Sequence, residues 1–346
     1  MVLRDFASRS CEWLDSDTSS PFISTRIRFA RNMDGFFFPN RAGRSQQAEI
    51  RKLAFEKIGR QKKWKNCKKI ALEDIDITDR RLLLERHLAS YDLVFTERVA
   101  GLVVNEKESM SIMVNEEDHL RLQIFGLGFN LHDTFNLASS VEKEMSENFD
   151  FAKHPEFGFL TACPTNVGTG LRISFLAHLP ALVRTNHMGE VIDSLSRLGI
   201  VVRGFYGEAT KPIGDFFQIS NQITLGVSEN DLIEKLTAIS SELEDASQKA
   251  ENELLKKNRV EIEDAIYRSY GIIQYAKKIS YEELMSCVSD IRFGLKTGMP
   301  LPIGGDRLND LLFLSQPAHI EERAGRNLLP PERDEARSEF VKETLG

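Results

Sequence analysis

The chain has no uninterrupted apolar run approaching the roughly 20 residues that cross a bilayer. Its first residues, Met1-Val2-Leu3-Arg4-Asp5-Phe6, lack the basic start, apolar core and small-residue cleavage site of an export signal. No membrane role is expected, and the cytoplasm is the expected compartment. The four cysteines, Cys11, Cys67, Cys163 and Cys287, form no Cys-x-x-Cys pair and have no histidine at zinc-ligand spacing, so neither a disulfide framework nor a structural metal is expected. Positive charge is not in excess either. With 45 Lys and Arg against 52 Asp and Glu the net charge is −7, which disfavours a nucleic-acid partner. The one basic run, Lys62-Lys63-Trp64-Lys65-Asn66-Cys67-Lys68-Lys69, reads as a solvated segment before a strand. Both common phosphate cradles are missing: there is no Gly-x-x-x-x-Gly-Lys-Ser/Thr loop and no His-Arg-Asp or Asp-Phe-Gly set.

What is present describes a globular chain. At 346 residues, 28% charged and 41% apolar, it can bury a large core and is expected to hold two domains, one smaller than the other. Short runs rich in Val, Ile, Phe and Thr fill the middle: 101–105, 109–115, 159–163, 200–206 and 217–225. The first two are joined by Glu106-Lys107-Glu108 and predict an antiparallel hairpin. Helical segments interleave over 45–57, 132–148 and 187–198. The fold class expected is α+β, an antiparallel β-sheet flanked by helices.

After Gly226 the texture changes. Ser228 with Asp231 forms a capping-box pattern, and Leu232, Leu236, Ile239, Leu243, Ala246 and Ala250 follow at alternating four and three, the mark of one long amphipathic helix. That stripe is expected to pack within the protein rather than form a coiled-coil seam. From about Arg259 the pattern is helical throughout, with Ser280 and Glu283 capping one helix, 306–315 forming another, and Pro331 opening a last helix to Leu345. The expected division is an extension over 1–23, a sheet-containing domain over 24–255 and an all-α C-terminal domain over 256–346.

Four islands carry chemistry: Ser24-Thr25-Arg26-Ile27-Arg28-Phe29-Ala30-Arg31-Asn32, Val114-Asn115-Glu116-Glu117-Asp118-His119-Leu120-Arg121, Cys163-Pro164-Thr165-Asn166-Val167-Gly168-Thr169-Gly170-Leu171-Arg172, and Arg203-Gly204-Phe205-Tyr206-Gly207-Glu208. In a strand, Arg26 and Arg28 share one face, and Arg31 falls outside that alternation. Taken singly, each feature has a plain structural reading. Arg-x-Arg is most often a solvated edge, three consecutive acids an acidic loop, Gly-x-Gly a turn, and a free cysteine a buried apolar thiol. Together, a thiol, tight glycine turns, arginines and carboxylates suit phosphoryl transfer to a cationic nitrogen. Such transfer needs anions beside the acceptor and cations around the polyphosphate, kept from neutralising each other.

These islands, in this order and spacing, resemble the phosphagen (guanidino) kinase family, and most closely its bacterial branch of McsB-type protein-arginine kinases. The resemblance runs from about Ser24 to Arg333-Asp334-Glu335-Ala336-Arg337. It implies the guanidino kinase fold, related to glutamine synthetase, over 24–255. It implies ATP and Mg²⁺ as cofactors, with Arg26, Arg28, Arg121, Arg172 and Arg203 at the positions that clamp ATP phosphates and His87 near the nucleotide. Ser24, Thr25, Ile27, Ile173, Ser174, Phe175, Leu176, Gly204, Phe205, Tyr206, Gly207 and Glu208 complete the implied nucleotide-binding stretches. Glu117 and Glu208 match the carboxylates that orient the acceptor guanidinium and help remove its proton, and Cys163 matches a thiolate set against a non-reacting substrate nitrogen.

Departures from the animal enzymes are equally informative. Only 23 residues precede Ser24, where creatine and arginine kinases carry a helical domain. Leu176 stands where they place a histidine, and Gln218-Ile219-Ser220-Asn221 replaces an acidic version. A more open acceptor site, suited to arginine on a polypeptide, is the implication. Arg333-Asp334-Glu335-Ala336-Arg337-Ser338 resembles the branch's phosphoarginine-recognition motif, with Ser338 as a departure, so Arg333, Asp334 and Arg337 are implied as an allosteric site. Implied partners are proteins with exposed arginine, a small zinc-binding activator, a Clp-type unfoldase and a second copy in a homodimer. The rival readings are a kinase of free arginine or another small guanidino compound, and a phosphoarginine-binding adaptor without catalysis.

Overall fold

The computed structural model describes residues 3–205 and 213–346. Its strands are β1 (Phe22–Arg31), β2 (Lys68–Ala71), β3 (Gly101–Val104), β4 (Met110–Val114), β5 (Leu120–Leu127), β6 (Lys153–His154), β7 (Gly158–Phe159), β8 (Leu171–His178), β9 (Ile200–Gly204) and β10 (Phe216–Asn221). Its helices are α1 (Arg4–Ala7), α2 (Arg44–Ile58), α3 (Ile77–Glu85), α4 (Tyr91–Val94), α5 (Leu131–Ser146), α6 (Pro180–Arg184), α7 (Met188–Arg197), α8 (Glu229–Tyr275), α9 (Tyr281–Lys296), α10 (Gly305–Leu314), α11 (Pro317–Ala324) and α12 (Pro330–Leu345). Among the described residues, eight of them form one sheet in the order β2-β3-β4-β5-β1-β8-β10-β9, and β6 pairs with β7. The pairs β2 to β3, β3 to β4 and β4 to β5 are antiparallel, in line with the expected fold class.

By its internal contacts the chain divides into two units that interleave in sequence, Thr25–Ser174 with Ser220–Leu236, and Val2–Ser24 with Phe175–Ile219 and Thr237–Gly346. In the first unit the expected hairpin forms with Gly101 opposite Val114 and Val104 opposite Ser111. Its turn closes where Asn105 accepts from the Met110 N–H through Oδ1 at 2.8 Å. Every residue of β3 and β4 is buried, as befits interior strands covered by helices. Helix α2 (Arg44–Ile58) buries Gln47, Ile50, Ala54 and Ile58 at spacings of three and four. At Gly101 any Cβ would stand 2.7 Å from the Phe55 ring, so the close approach of α2 to β3 requires glycine. Helix α5 (Leu131–Ser146) buries Leu131, Thr134, Ala138, Val141 and Met145 in the same rhythm.

Three sequence expectations need correction. The run 159–163 pairs only at Gly158–Phe159, because the Leu160 N–H goes to Ala152 and the Ala162 N–H to the Asp118 carboxylate, which withdraws them from a ladder. The run 217–225 ends at Asn221, whose side chain takes the Ile173 N–H at 2.7 Å and donates to Leu171 O at 3.0 Å. The last helix, α12 (Pro330–Leu345), opens at Pro330 rather than Pro331, with Glu332 accepting from the Leu329 N–H at 2.7 Å.

The second unit holds the helices that follow the sheet. Helix α8 (Glu229–Tyr275) begins in the first unit with the expected reciprocal cap, the Ser228 N–H on Asp231 at 2.9 Å and the Asp231 N–H on Ser228 Oγ at 3.1 Å. Its stripe is buried at Leu232, Leu236, Ile239, Leu243 and Ala250. The helical dihedrals break at Asn258. Helix α9 (Tyr281–Lys296) is capped by Ser280 as expected. The N-terminal residues belong to this unit: the Arg292 guanidinium of α9 donates to the carbonyls of Asp15 and Asp17, and Asn309 donates to Leu14 and Asp15. Rings of Trp13, Phe205, Phe216 and Phe313 stack edge to face around it, with centroids 5.2 to 6.1 Å apart.

One buried side chain in the first unit ties three loops. Asp118 Oδ1 accepts from Asn32 Nδ2 at 2.7 Å, just past β1, and from the Ala162 N–H at 2.7 Å, while Oδ2 lies 3.5 Å from Arg121. Asn32 in turn accepts the His119 N–H at 2.9 Å. Replacing Asp118 with Ala leaves the Asn32 and Ala162 donors without this acceptor and removes one of three carboxylates around Arg121, so Asp118→Ala should lower the unfolding free energy by about 3 kcal/mol. Asp118→Asn, which keeps an acceptor oxygen, should cost roughly half as much. Urea titration followed by circular dichroism measures both, and equal stability of Asp118→Ala and wild type would contradict this account.

Candidate active site

The alternation of β1 sorts its side chains. Ile27 and Phe29 enter the core, while Arg26 and Arg28 stay half-buried on the other face. Arg121 comes to them from β5 and Arg172 from β8, where Arg172 Nη2 donates to Ser220 Oγ at 3.0 Å. The Arg28 guanidinium is held well below its ordinary range, first by burial and then by the charges of Arg26, Arg172 and Arg121, with only Glu116 opposing. Its Nε is buried and has no hydrogen-bond partner among the described residues. Four like charges gathered this way destabilise the unliganded protein and favour any polyanion that enters. Arg31, outside the alternation, is different: it is buried against Glu142 at 2.8 Å and covers the Phe159 ring at 3.4 Å, a packing role.

The acidic run divides its work residue by residue. Glu116 is buried, accepts from Ser90 Oγ at 2.6 Å and from the Glu117 N–H at 2.8 Å, and ion-pairs with Arg121 at 2.7 Å. Burial alone would raise its pKa, but Arg121, Ser90, the Glu117 amide and Arg28 together lower it. Glu117 is the outward member, 39% exposed, with one oxygen 2.7 Å from Arg121. Burial would lower Arg121, yet Glu116, Asp118 and Glu117 raise it beyond the usual guanidinium range. The separation of anions from cations expected from the sequence therefore fails at Arg121, which is neutralised locally, and holds at Arg28.

Cys163 is half-buried at the N-terminal edge of the short 3-10 turn Pro164–Asn166, with Sγ 3.0 Å from Thr165 Oγ1. The Asp118 to Ala162 bond places Glu117 and Cys163 each one residue from the same hydrogen bond. Gly168 and Gly170 both have positive φ. A Cβ at Gly168 would stand 2.3 Å from Thr224 O, and one at Gly170 would stand 2.7 Å from Ala30 O, so the Gly-x-Gly serves close backbone packing.

His87, at φ 56, sits half-buried beyond helix α3 (Ile77–Glu85), and desolvation with the charge of Arg26 pushes its pKa down to about 3, leaving a neutral imidazole. Thr25 is committed to the fold, donating to Gly128 O at 2.8 Å and accepting from the Asn130 N–H at 3.1 Å. Ser24, Ile27, Ile173, Ser174, Phe175 and Leu176 are buried, so their side chains belong to the interior. In the second unit, Arg203 is half-buried on β9, followed by Gly204 and the buried Phe205. Tyr206, Gly207 and Glu208 lie outside the described residues.

On α12, Arg337 is 2% exposed and donates to the carbonyls of Ser315 at 2.8 Å and Ile279 at 2.9 Å, and to Asp334 Oδ1 at 2.6 Å. Arg333 meets Glu321 at 2.8 Å, and Ser338 donates to Ala276 O at 2.6 Å. Sequence reasoning missed Asn32, Asp118, His119, Asn221 and Thr224, which fix the loops. All five stand within or beside strands or the quoted islands, but only their burial marks them. His119 is a pure brace, its Nδ1 accepting from the Met33 N–H at 3.0 Å and its Nε2 lying 2.8 Å from Phe37 O.

Comparison with known proteins agrees with this arrangement. Residues 49–250 match the ATP:guanido phosphotransferase C-terminal catalytic domain. Residues 259–346 match the protein-arginine kinase McsB C-terminal domain. The chain is 39% identical to a protein-arginine kinase of Halothermothrix orenii, covering 94% of this chain and 93% of that one. It is 41% identical to a protein-arginine kinase of Symbiobacterium thermophilum, again covering 94% and 93%. Among solved structures, the duplicated taurocyamine kinase from Schistosoma mansoni superposes with a TM-score of 0.59 at 24% identity, covering 71% of this chain and 35% of that one, which establishes a shared fold. From the arginine-lined strands of its sheet to its helical C-terminal segment, this chain belongs to the protein-arginine kinases of the ATP:guanido phosphotransferase family.

Proposed function

We propose that this chain transfers the γ-phosphoryl group of ATP to a guanidinium nitrogen of arginine in polypeptides. The observation that carries the reading is the cluster of Arg26, Arg28, Arg121 and Arg172, with a buried Arg28 Nε that has no hydrogen-bond partner among the described residues. A polyphosphate answers both the charge and the open donor, and planar guanidiniums bind phosphate oxygens in pairs. The residues present fit ATP. Mg²⁺, when bound with the nucleotide, would supply further neutralisation of the phosphate charge that the arginines hold.

In this reading Arg203 joins the four arginines on phosphate, and the neutral His87 adds no further charge. Ser24, Thr25, Ile27, Ile173, Ser174, Phe175, Leu176 and the segment Gly204 to Glu208 complete the nucleotide stretches. Glu117, the exposed acid, accepts from the acceptor guanidinium and, with Glu208, fixes its plane and helps remove its proton. The Cys163 sulfur, beside the Thr165 hydroxyl, sits against a non-reacting nitrogen of the acceptor. The catalytic portion is assigned to 24–255 and the helical domain to 256–346, with 1–23 an extension. Phosphorylated proteins would then pass to a Clp-type protease, with a small zinc-binding activator and a homodimeric assembly as further parts of the proposal, and the cytoplasm as its place.

The deciding experiment incubates the full chain with MgATP, a protein substrate and free arginine, followed by mass spectrometry under cold, neutral conditions. Phosphate should appear on arginine side chains of the protein. Its exclusive appearance on free arginine, or on serine, would refute the proposal.

Two substitutions separate the roles. Arg28→Ala should weaken MgATP binding by about a hundredfold, because it removes a phosphate donor that no carboxylate of the described residues pairs with. Glu117→Gln should lower kcat by about two orders of magnitude while moving the MgATP Kd by less than about threefold. Isothermal titration and steady-state rates distinguish these outcomes, and a reversal of the two phenotypes would exchange the assignments.

Arg333, Asp334 and Arg337 are carried as a phosphoarginine site on α12, where a carboxylate can accept from phosphoguanidinium N–H groups and an arginine can meet the phosphate. Since Arg337 also braces two buried carbonyls, Asp334→Ala is the cleaner probe. It should reduce phosphoarginine affinity about tenfold by calorimetry with nucleotide bound, with MgATP affinity unchanged. Equal phosphoarginine binding by both proteins would reduce the segment to an internal clamp.

A further inference from the structure

The glycines of the Cys163 loop draw three separate stretches into backbone contact within the first unit. A Cβ on Gly158 would stand 2.6 Å from Gly168 O, and one on Gly168 would stand 2.9 Å from Leu225 Cα. The Phe159 N–H donates to Gly168 O at 2.8 Å, the Gly168 N–H donates to Phe159 O at 3.2 Å, and the Thr169 N–H donates to Thr224 O at 3.1 Å. Thr224 Oγ1 lies 2.8 Å from Thr165 O and 2.7 Å from Val167 O, so the turn that follows Cys163 rests on Thr224.

The side chains flanking this scaffold are apolar and in water. Phe157, before Gly158, is 48% exposed, and Ile223 and Leu225, on either side of the buried Thr224, are 50% and 48% exposed. The His154 ring stacks on Phe157 at 4.6 Å and gives it a fixed base. A single exposed apolar residue is ordinary, but three held by one glycine and threonine scaffold beside a reactive-site loop mark a contact surface.

We propose that Phe157, Ile223 and Leu225 receive the residues flanking the target arginine, so that apolar neighbours in a polypeptide favour its phosphorylation. This rests on the function proposed above and names its substrate more narrowly. The surface is continuous with the Cys163 loop through Gly168 and Thr224. An arginine whose guanidinium reaches that loop brings its own backbone and adjacent side chains alongside. Free arginine has no neighbours to lay there, whereas a peptide has, and apolar ones remove Phe157 and Leu225 from water.

Two peptides of equal length and charge test this with the full chain and MgATP, each with one arginine, flanked either by Leu and Phe or by Ser. Wild type should give a KM about tenfold lower for the apolar peptide, with kcat alike. The variant Phe157→Ser/Leu225→Ser should erase that difference, leave the Ser-flanked peptide and MgATP affinity unmoved, and be rescued by Phe157→Leu/Leu225→Met. Equal KM values in wild type, or a preference that survives in the Ser variant, would overturn the proposal while phosphoarginine on both peptides kept the broader function intact. Absence of phosphoarginine from either peptide would remove the broader function and this proposal with it. A lower molar mass of the Ser variant by light scattering would assign the surface to a second copy of the chain and overturn the substrate reading.

Discussion

Asp118 is the constraint on which the first unit depends. A carboxylate removed from water is costly unless it is compensated: here Oδ1 accepts from donors on two different loops, while Oδ2 has no hydrogen bond among the described residues and is offset by the Arg121 charge 3.5 Å away. Because those loops follow β1 and precede Cys163, one buried anion fixes the end of the arginine strand and the approach to the thiol. Glu117, next in sequence, has a single direction left to point, outward beside Arg121.

Against that anchored frame the arginine cluster is a deliberate imbalance. Arg121 is satisfied by three carboxylates, whereas among the described residues Arg28 is surrounded by the charges of Arg26, Arg172 and Arg121 and opposed by that of Glu116. The protein thus holds one guanidinium in reserve for an anion and uses another to order its acids. Such a site gives up stability in the empty state for affinity in the filled one, a common pattern where binding residues are preorganised. The neutral His87 fits beside it because an imidazolium there would add a further like charge.

The second unit uses its buried polar groups differently, to join helices and loops by their carbonyls. Arg337 bridges the ends of two helical segments, and Arg292 holds residues 15 and 17. Ser289 of α9 donates to Asp215 at 3.2 Å and lies 2.8 Å from His178 Nε2, while burial keeps His178 well below its usual range and therefore neutral. These contacts place α9 against Asp215, two residues after the described chain resumes at Ile213. Gly214 has backbone of Met285 where a Cβ would be, 2.5 Å away, so only glycine passes.

The alternation of β1, the hairpin at 101–114 and the caps at Ser228 and Ser280 were legible in the residues themselves, because period and capping chemistry are local. The family was legible for the same reason: its islands are short runs of unusual residue types. Other features depended on where distant backbone came to rest. No local signal reveals that Asp118 would take the Ala162 N–H and so end a strand before it began, or that Asn221 would replace ladder bonds beside β8. Nor does Glu-Glu-Asp distinguish the buried braces from the exposed acid, since all three are carboxylates and burial with long-range partners separates them. Residue identity determined which groups could bind phosphate or a guanidinium. Desolvation and the geometry of long-range hydrogen bonds, which exist only once the chain is folded, decided which of those groups are available to do so.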